Sequence, residues 1–168
     1  MLTPNLSIHE KWMSFALSLA ETAASIDEVP VGAIIIKNNK IISTGFNQKE
    51  SSQSVTKHAE IIAIEAACKK LGSWRLNDCT LYVTLEPCMM CSGAIYQARL
   101  TEVIYGCSDP KGGCLGSLYS INTDDRLNHS FEVTKGVYGS QASELLQKFF
   151  KRKRTIKNEL AGKNHSPS

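Results

Sequence analysis

Thr80-Leu-Tyr-Val-Thr-Leu-Glu-Pro-Cys-Met-Met-Cys91 is the stretch on which the reading of this chain turns. Its first part, Thr80–Thr84, is rich in β-branched and aromatic side chains and reads as a strand. Pro87 opens a helix running to about Ala98, because a missing N–H is harmless in a first turn. Cys88 and Cys91 are three positions apart, so in that turn both sulfurs point to one side. Upstream, His58-Ala-Glu60 stands at the start of a second helical segment, apolar from Ile61 to Leu71 and closed by Gly72. One imidazole and two thiolates suit Zn²⁺, and three protein ligands leave the fourth tetrahedral position to water. The partial positive charge at helix N-termini favours thiolate over thiol.

His58 and Glu60 lie about 200° apart around an ideal helix, so a regular helix cannot aim both at one ion. The expectation is that His58 occupies a non-helical start and Glu60 leans over the water. Zinc with two thiolates and a neutral imidazole is formally neutral and acidifies water less than an all-histidine site. A carboxylate must then help to remove the proton, which assigns general acid–base work to Glu60. H-x-E alone is a weak signal, and C-x-x-C alone could be a redox pair or half of a Cys₄ site. No second close pair is present, since Cys107 and Cys114 are seven apart. H-x-E followed after 26 residues by P-C-x-x-C is the known signature of the zinc base deaminases.

The remaining chain supplies the frame. Ser7-Ile-His-Glu10 has the form of a capping box opening a helix over about 7–25. Val31–Ile36 and Ile41–Ile42, joined through Asn38-Asn39, read as a hairpin over 31–46. Residues 47–57 are polar and irregular. Glu102–Tyr105 and Phe131–Thr134 are further strands, Asp109–Gly116 is a glycine-bearing loop, and Ser140 to about Lys157 is a final helix. Strands alternating with helices predict a layered α/β domain over 1–160, followed by a disordered polar tail, 161–168.

The net charge of +3 conceals an asymmetry. Residues 148–157 carry six basic side chains and no acidic one; elsewhere 16 acidic residues face 13 basic ones. Such a patch points to a polyanionic partner, the alternative being a solvated helix end. The apolar run Trp12–Ala20 is bracketed by Glu10 and Glu21 and lacks a basic leader, so no export signal is read. No run reaches the roughly 18 apolar residues of a membrane span. The six cysteines are therefore expected to be reduced, in the cytoplasm.

The chain resembles the bacterial tRNA-specific adenosine deaminases, a branch of the cytidine-deaminase-like superfamily that converts adenosine to inosine at the anticodon wobble position. The resemblance covers nearly the whole length. It rests on Glu28-Val-Pro-Val-Gly-Ala33, Gly45-Phe-Asn47, His58-Ala-Glu-Ile61, Thr80–Cys91, Gly116-Ser-Leu118, Asn128-His129 and Phe149-Phe150 followed by basic residues. The zinc motif belongs to the superfamily; the Phe-Phe-basic segment looks specific to the tRNA branch. The resemblance implies a three-layer α/β/α fold around a five-stranded mixed sheet, one zinc per subunit, a homodimer and an anticodon stem-loop as partner. It also implies that Asn47 contacts the target nucleoside, that Asp109 lies against the RNA beside it, and that Phe150 and Arg154 hold neighbouring nucleotides. The residues themselves leave other roles open: Asn47 as a turn residue, Asp109 before Pro110 as a turn start, Phe149 and Phe150 as a core stripe with Leu145 and Leu146. Of the two aromatics, Phe149 is expected in the core and Phe150 shared with substrate. Ser54-Val-Thr-Lys57 departs from the Asp-Pro-Thr-Ala that family members commonly carry before the histidine. Two rival functions are a related deaminase acting on a free base and a non-catalytic zinc-stabilised RNA-binding subunit. A basic Phe-bearing helix argues against the first, and Glu60 against the second.

Overall fold

The structure, a computed structural model, describes residues 7–163. Helix α1 (Ile8–Ser25) begins at the expected capping box: the Glu10 N–H donates to the Ser7 hydroxyl, and the Ser7 N–H donates to the Glu10 carboxylate. Strands β1 (Gly32–Lys37) and β2 (Lys40–Phe46) form the hairpin, with Asn38 and Asn39 at φ of 49° and 57°, as its tight turn requires. The chain continues through α2 (Lys49–Ser52), α3 (Ala59–Leu71), β3 (Cys79–Leu85), α4 (Met89–Gln97), β4 (Glu102–Cys107), a 3₁₀ turn (Ile121–Thr123), β5 (Glu132–Lys135) and α5 (Gly139–Lys163).

The five strands form one mixed sheet in the order β2-β1-β3-β4-β5. Strand β1 is antiparallel to both β2 and β3, while β3, β4 and β5 are parallel. This is the three-layer α/β/α architecture expected. Alternate residues of the central strands feed two cores. Ala33, Ile35, Leu81, Val83 and Val103 pack with Ala59, Ala63 and Ala67 of α3 and Ile95 of α4. Ile34, Ile36, Tyr82 and Ile104 pack with Trp12, Met13 and Ala16 of α1. Helix α5 joins α1 on that second face, where Ala142 abuts Gly106 of β4.

The direction of the strands decides where the next helices begin. Both β2 and β3 oppose β1, so they run the same way and end at the same edge of the sheet. Helices α3 and α4, which follow them, therefore start side by side at that edge. Gly45 allows α3 to lie directly on β2: a Cβ there would come within 2.2 Å of the Ala59 carbonyl oxygen and 2.8 Å of the Ala63 nitrogen.

Several boundaries differ from the sequence reading. Helix α4 begins at Met89, with Cys88 as its N-cap, so Pro87 stands just outside instead of opening the helix. The polar 47–57 segment contains the one-turn helix α2. Helix α5 runs to Lys163, six residues past the expected end, so 161–163 of the expected tail are helical. The rest of that tail, 164–168, lies outside the described residues. Residues 154–161 are all exposed, and good helix formers carry the helix on where packing has stopped.

Because backbone, not a movable side chain, fills the space above Gly45, Gly45→Ala must lift α3 and His58 with it. We expect a stability loss of about 1–3 kcal/mol or more together with loss of bound metal, read by thermal melting and elemental analysis of the folded protein. A variant with unchanged metal content would show that the seat of α3 does not position His58.

Candidate active site

Three donor atoms converge at the two helix starts. His58 is the N-cap of α3 with extended backbone (φ −80°, ψ 153°), and Cys88 is the N-cap of α4, also extended (φ −75°, ψ 177°). Cys91 lies in the first turn of α4 and is buried. The Nδ1 atom of His58 is 3.7 Å from Cys88 Sγ and 3.6 Å from Cys91 Sγ, and all three donor atoms lie within 4.8 Å of one another. Ligands about 2.3 Å (sulfur) and about 2.0–2.1 Å (nitrogen) from a tetrahedral zinc stand roughly 3.6 Å apart, so the spacing fits that ion. The extended N-cap settles the angular problem: His58 leaves the helix, and Glu60 is free to take its own direction.

The charges around this cluster are strongly coupled. A hydrogen bond from the Cys91 thiol, aided by His58, lowers the Cys88 thiol to about 4 despite its burial. Cys91 is pushed up, because the neighbouring Cys88 and burial both favour its proton. His58 is raised by its contact with Cys88. One imidazole and two sulfurs so placed have the donor chemistry of a cation site. Glu60 is buried (4 % exposed), and desolvation raises its carboxyl to about 7.

His58, Glu60, Cys88, Asn47 and Asp109 all line one cleft. Asn47 is buried, and its Oδ1 accepts the Ala59 N–H at 2.9 Å, satisfying the first turn of α3. The other end of its side chain, the NH₂ group, is a donor. Asp109 does start a turn, since its Oδ1 accepts the Lys111 N–H at 3.0 Å, and it also lies where this cleft meets a second groove. That groove contains Phe150 and Arg154 together with Lys111, Gln147 and Lys151. Phe149 is buried and Phe150 is 43 % exposed, their rings meeting edge to face at 5.4 Å. Phe149 thus lies in the core as expected, while Phe150 is exposed on the groove side.

The basic run also divides, which its composition did not reveal. Lys151 and Arg154 line the groove. Arg152 and Lys153 both bind Asp27 in the α1–β1 connection, Arg152 at 2.9 Å, and lie over the Phe149 ring. This second pair fastens α5 to the body of the protein.

Two buried carboxylates were missed as functional residues. Glu28 accepts the Glu50 N–H at 3.2 Å and the Ser51 N–H at 2.6 Å, capping α2 from a distant part of the chain. Burial would raise its pKa, but these amides and the Ser51 hydroxyl bring it below the ordinary value of 4.5. Glu86 accepts N–H groups of Asp109, Leu115 and Ser117 and the Ser117 hydroxyl. An acidic residue set between Leu85 and Pro87 with no basic neighbour was the available signal.

The MafB19-like deaminase family matches residues 7–154, which makes the chain a deaminase by class. A tRNA-specific adenosine deaminase of Bacillus subtilis (strain 168) is 43% identical over 157 residues, 94% of this chain and 97% of that one. A solved structure described as a tRNA:A34 deaminase, studied for A-to-I editing at the wobble position, superimposes with a TM-score of 0.78 at 40% identity, covering 81% of this chain and 99% of its own. A guanine deaminase structure from Bacillus subtilis is 44% identical over a smaller part, 60% of this chain and 64% of that one, with a TM-score of 0.58. The chain belongs to the tRNA-specific adenosine deaminase family. No helix among the described residues is long and apolar enough to cross a membrane.

The lowered pKa of Glu28 has a signed consequence. Its stabilisation is complete above the ordinary value of 4.5 and is lost as pH falls through the lower folded value. Glu28→Gln should therefore cost about 1–3 kcal/mol at neutral pH, and the gap to wild type should close in acid. Denaturant melts from pH 7 to pH 3 test this. A gap independent of pH would mean that the charge of Glu28 is not what holds α2.

Proposed function

We propose that the protein hydrolyses adenosine to inosine and ammonia at the wobble position of a tRNA anticodon, using one zinc ion per subunit held by His58, Cys88 and Cys91. The observation that carries this reading is the convergence of those three donor atoms beside buried Glu60, in a cleft continuous with a basic, Phe-bearing groove. Zinc, when bound, supplies a Lewis acid and an activated water. Glu60 takes one proton from the attacking water and delivers it to the purine ring nitrogen beside the amino-bearing carbon; it then takes the second proton from the hydroxyl now on that carbon and gives it to the amine as the C–N bond breaks, leaving the carbonyl of inosine and free ammonia. Its burial keeps bulk water away from that exchange. With Oδ1 committed to Ala59, Asn47 offers its NH₂ group to the nucleoside.

An anticodon loop presents unstacked bases, so little is spent in extracting one. Phe150 stacks on a neighbouring base, Arg154 and Lys151 neutralise phosphates, and Asp109 sits against the RNA where groove and cleft meet. We further propose a homodimer. Met89, Leu118 and Tyr119 are each more than half exposed, and the Leu118 N–H bonds to Gly113, which bridges to Cys88; this apolar surface supports the assignment. A tRNA-modifying role implies work in the cytoplasm.

The decisive assay incubates the protein with an anticodon stem-loop carrying adenosine at the wobble position and reads adenosine-to-guanosine changes after reverse transcription. Glu60→Ala should keep zinc and fold while losing about 10²–10⁴ in rate; a variant that still deaminates would remove Glu60 from the proton path. Arg154→Ala and Lys151→Ala should each lower the salt slope of stem-loop binding by about one, and Phe150→Ala should weaken binding by about 1–3 kcal/mol with no change in slope. Salt-insensitive turnover of a free base would favour a small-molecule deaminase instead.

A further inference from the structure

Glu86 occupies the single residue between Leu85, the end of β3, and Pro87-Cys88, where the metal-ligand motif begins. It is 2 % exposed, lines the cleft, and is saturated. Oε2 accepts the Asp109 N–H at 3.0 Å and the Ser117 hydroxyl; Oε1 accepts the Leu115 and Ser117 N–H groups, both at 3.0 Å. A carboxylate has about four acceptor sites, so none is left for substrate. The loop is joined to the two following residues as well: the Cys114 N–H donates to the Pro87 carbonyl at 2.9 Å, and Gly113 forms a bridge with Cys88. Gly113 itself sits against the carboxylate, where a Cβ would fall 2.2 Å from Glu86 Cδ. Only glycine allows the loop this close.

We propose that Glu86 is a positioning residue: its carboxylate fixes the 109–117 loop, and with it Asp109, against the start of α4, so that the metal cleft and the Phe150–Arg154 groove share one rigid rim. The substrate side of this inference rests on the function proposed above; the latch itself rests on hydrogen bonds and close packing. With its acceptor sites taken by the loop, Glu86 has no hydrogen bond to offer a substrate, and it makes none to either sulfur. It acts through the backbone of the loop, registering the groove that holds the RNA against the cleft where the base is changed.

The test uses zinc-loaded wild type, Glu86→Gln, Asp109→Ala, the double variant and Gly113→Ala. Glutamine keeps the size of the side chain but sets an NH₂ group against backbone donors. Glu86→Gln should raise KM for the anticodon stem-loop about tenfold to a hundredfold, with kcat within about twofold and zinc content unchanged. If the effect passes through Asp109, adding Glu86→Gln to Asp109→Ala should raise KM little further. Gly113→Ala, whose methyl group would force the loop and the Glu86 carboxylate apart without altering Glu86 itself, should reproduce the KM effect and supplies the answer if Glu86→Gln does not fold. An unchanged KM in the folded variant, or fully multiplicative effects in the double variant, would overturn the proposal. Amide hydrogen exchange separates this inference from the function: the amides of Asp109, Leu115 and Ser117 should exchange faster in Glu86→Gln even if wild type proves inactive on the stem-loop. Unchanged exchange would refute the latch.

Discussion

Two strands running the same way place two helix starts together, and the rest of the site depends on that. Because β2 and β3 both oppose β1, α3 and α4 begin at a common edge of the sheet, and each is capped by a candidate ligand residue in extended conformation. An N-cap residue is anchored by a helix yet released from its periodicity. His58 and Cys88 use that freedom to turn toward each other, and Cys91 follows one turn in. The same helix starts provide the electrostatics, since their N–H groups favour anionic sulfur.

Around the cleft, three buried carboxylates are set to different tasks by their partners. Glu28 and Glu86 accept hydrogen bonds from backbone amides and serine hydroxyls, which hold both below the ordinary carboxylate value even though burial opposes this. Glu60 has far less compensation, and desolvation drives it the other way. The first two support backbone, one beneath α2 and one beneath the 109–117 loop. The third keeps the raised carboxyl that the proton-transfer role proposed for it needs. Sequence alone would have shown three glutamates; the count of N–H donors around each one sorts them.

Much of the frame could be read directly. The capping box at Ser7, the Asn-Asn turn, the Gly72 terminus of α3 and the apolar runs of β1, β3 and β4 are local signals, and each element formed where its signal lay. The ligand motif was equally legible, since its spacing carries its own geometry. What escaped was held by distant partners. Helix α2 has four polar residues and exists because Glu28, some twenty residues earlier, caps it. The basic run of α5 looked uniform, yet Asp27 takes Arg152 and Lys153 and leaves Lys151 and Arg154 to the groove. The end of α5 was placed too early because periodic packing stops near Phe149 while intrinsic helix preference does not.

The account as a whole requires one ion with one nitrogen and two sulfur neighbours. X-ray absorption at the zinc edge of the purified, active protein measures this directly. The account predicts one zinc per chain with two sulfurs near 2.3 Å and two lighter atoms, nitrogen and oxygen, near 2.0–2.1 Å. Absence of zinc, or a shell of four sulfurs, would contradict it.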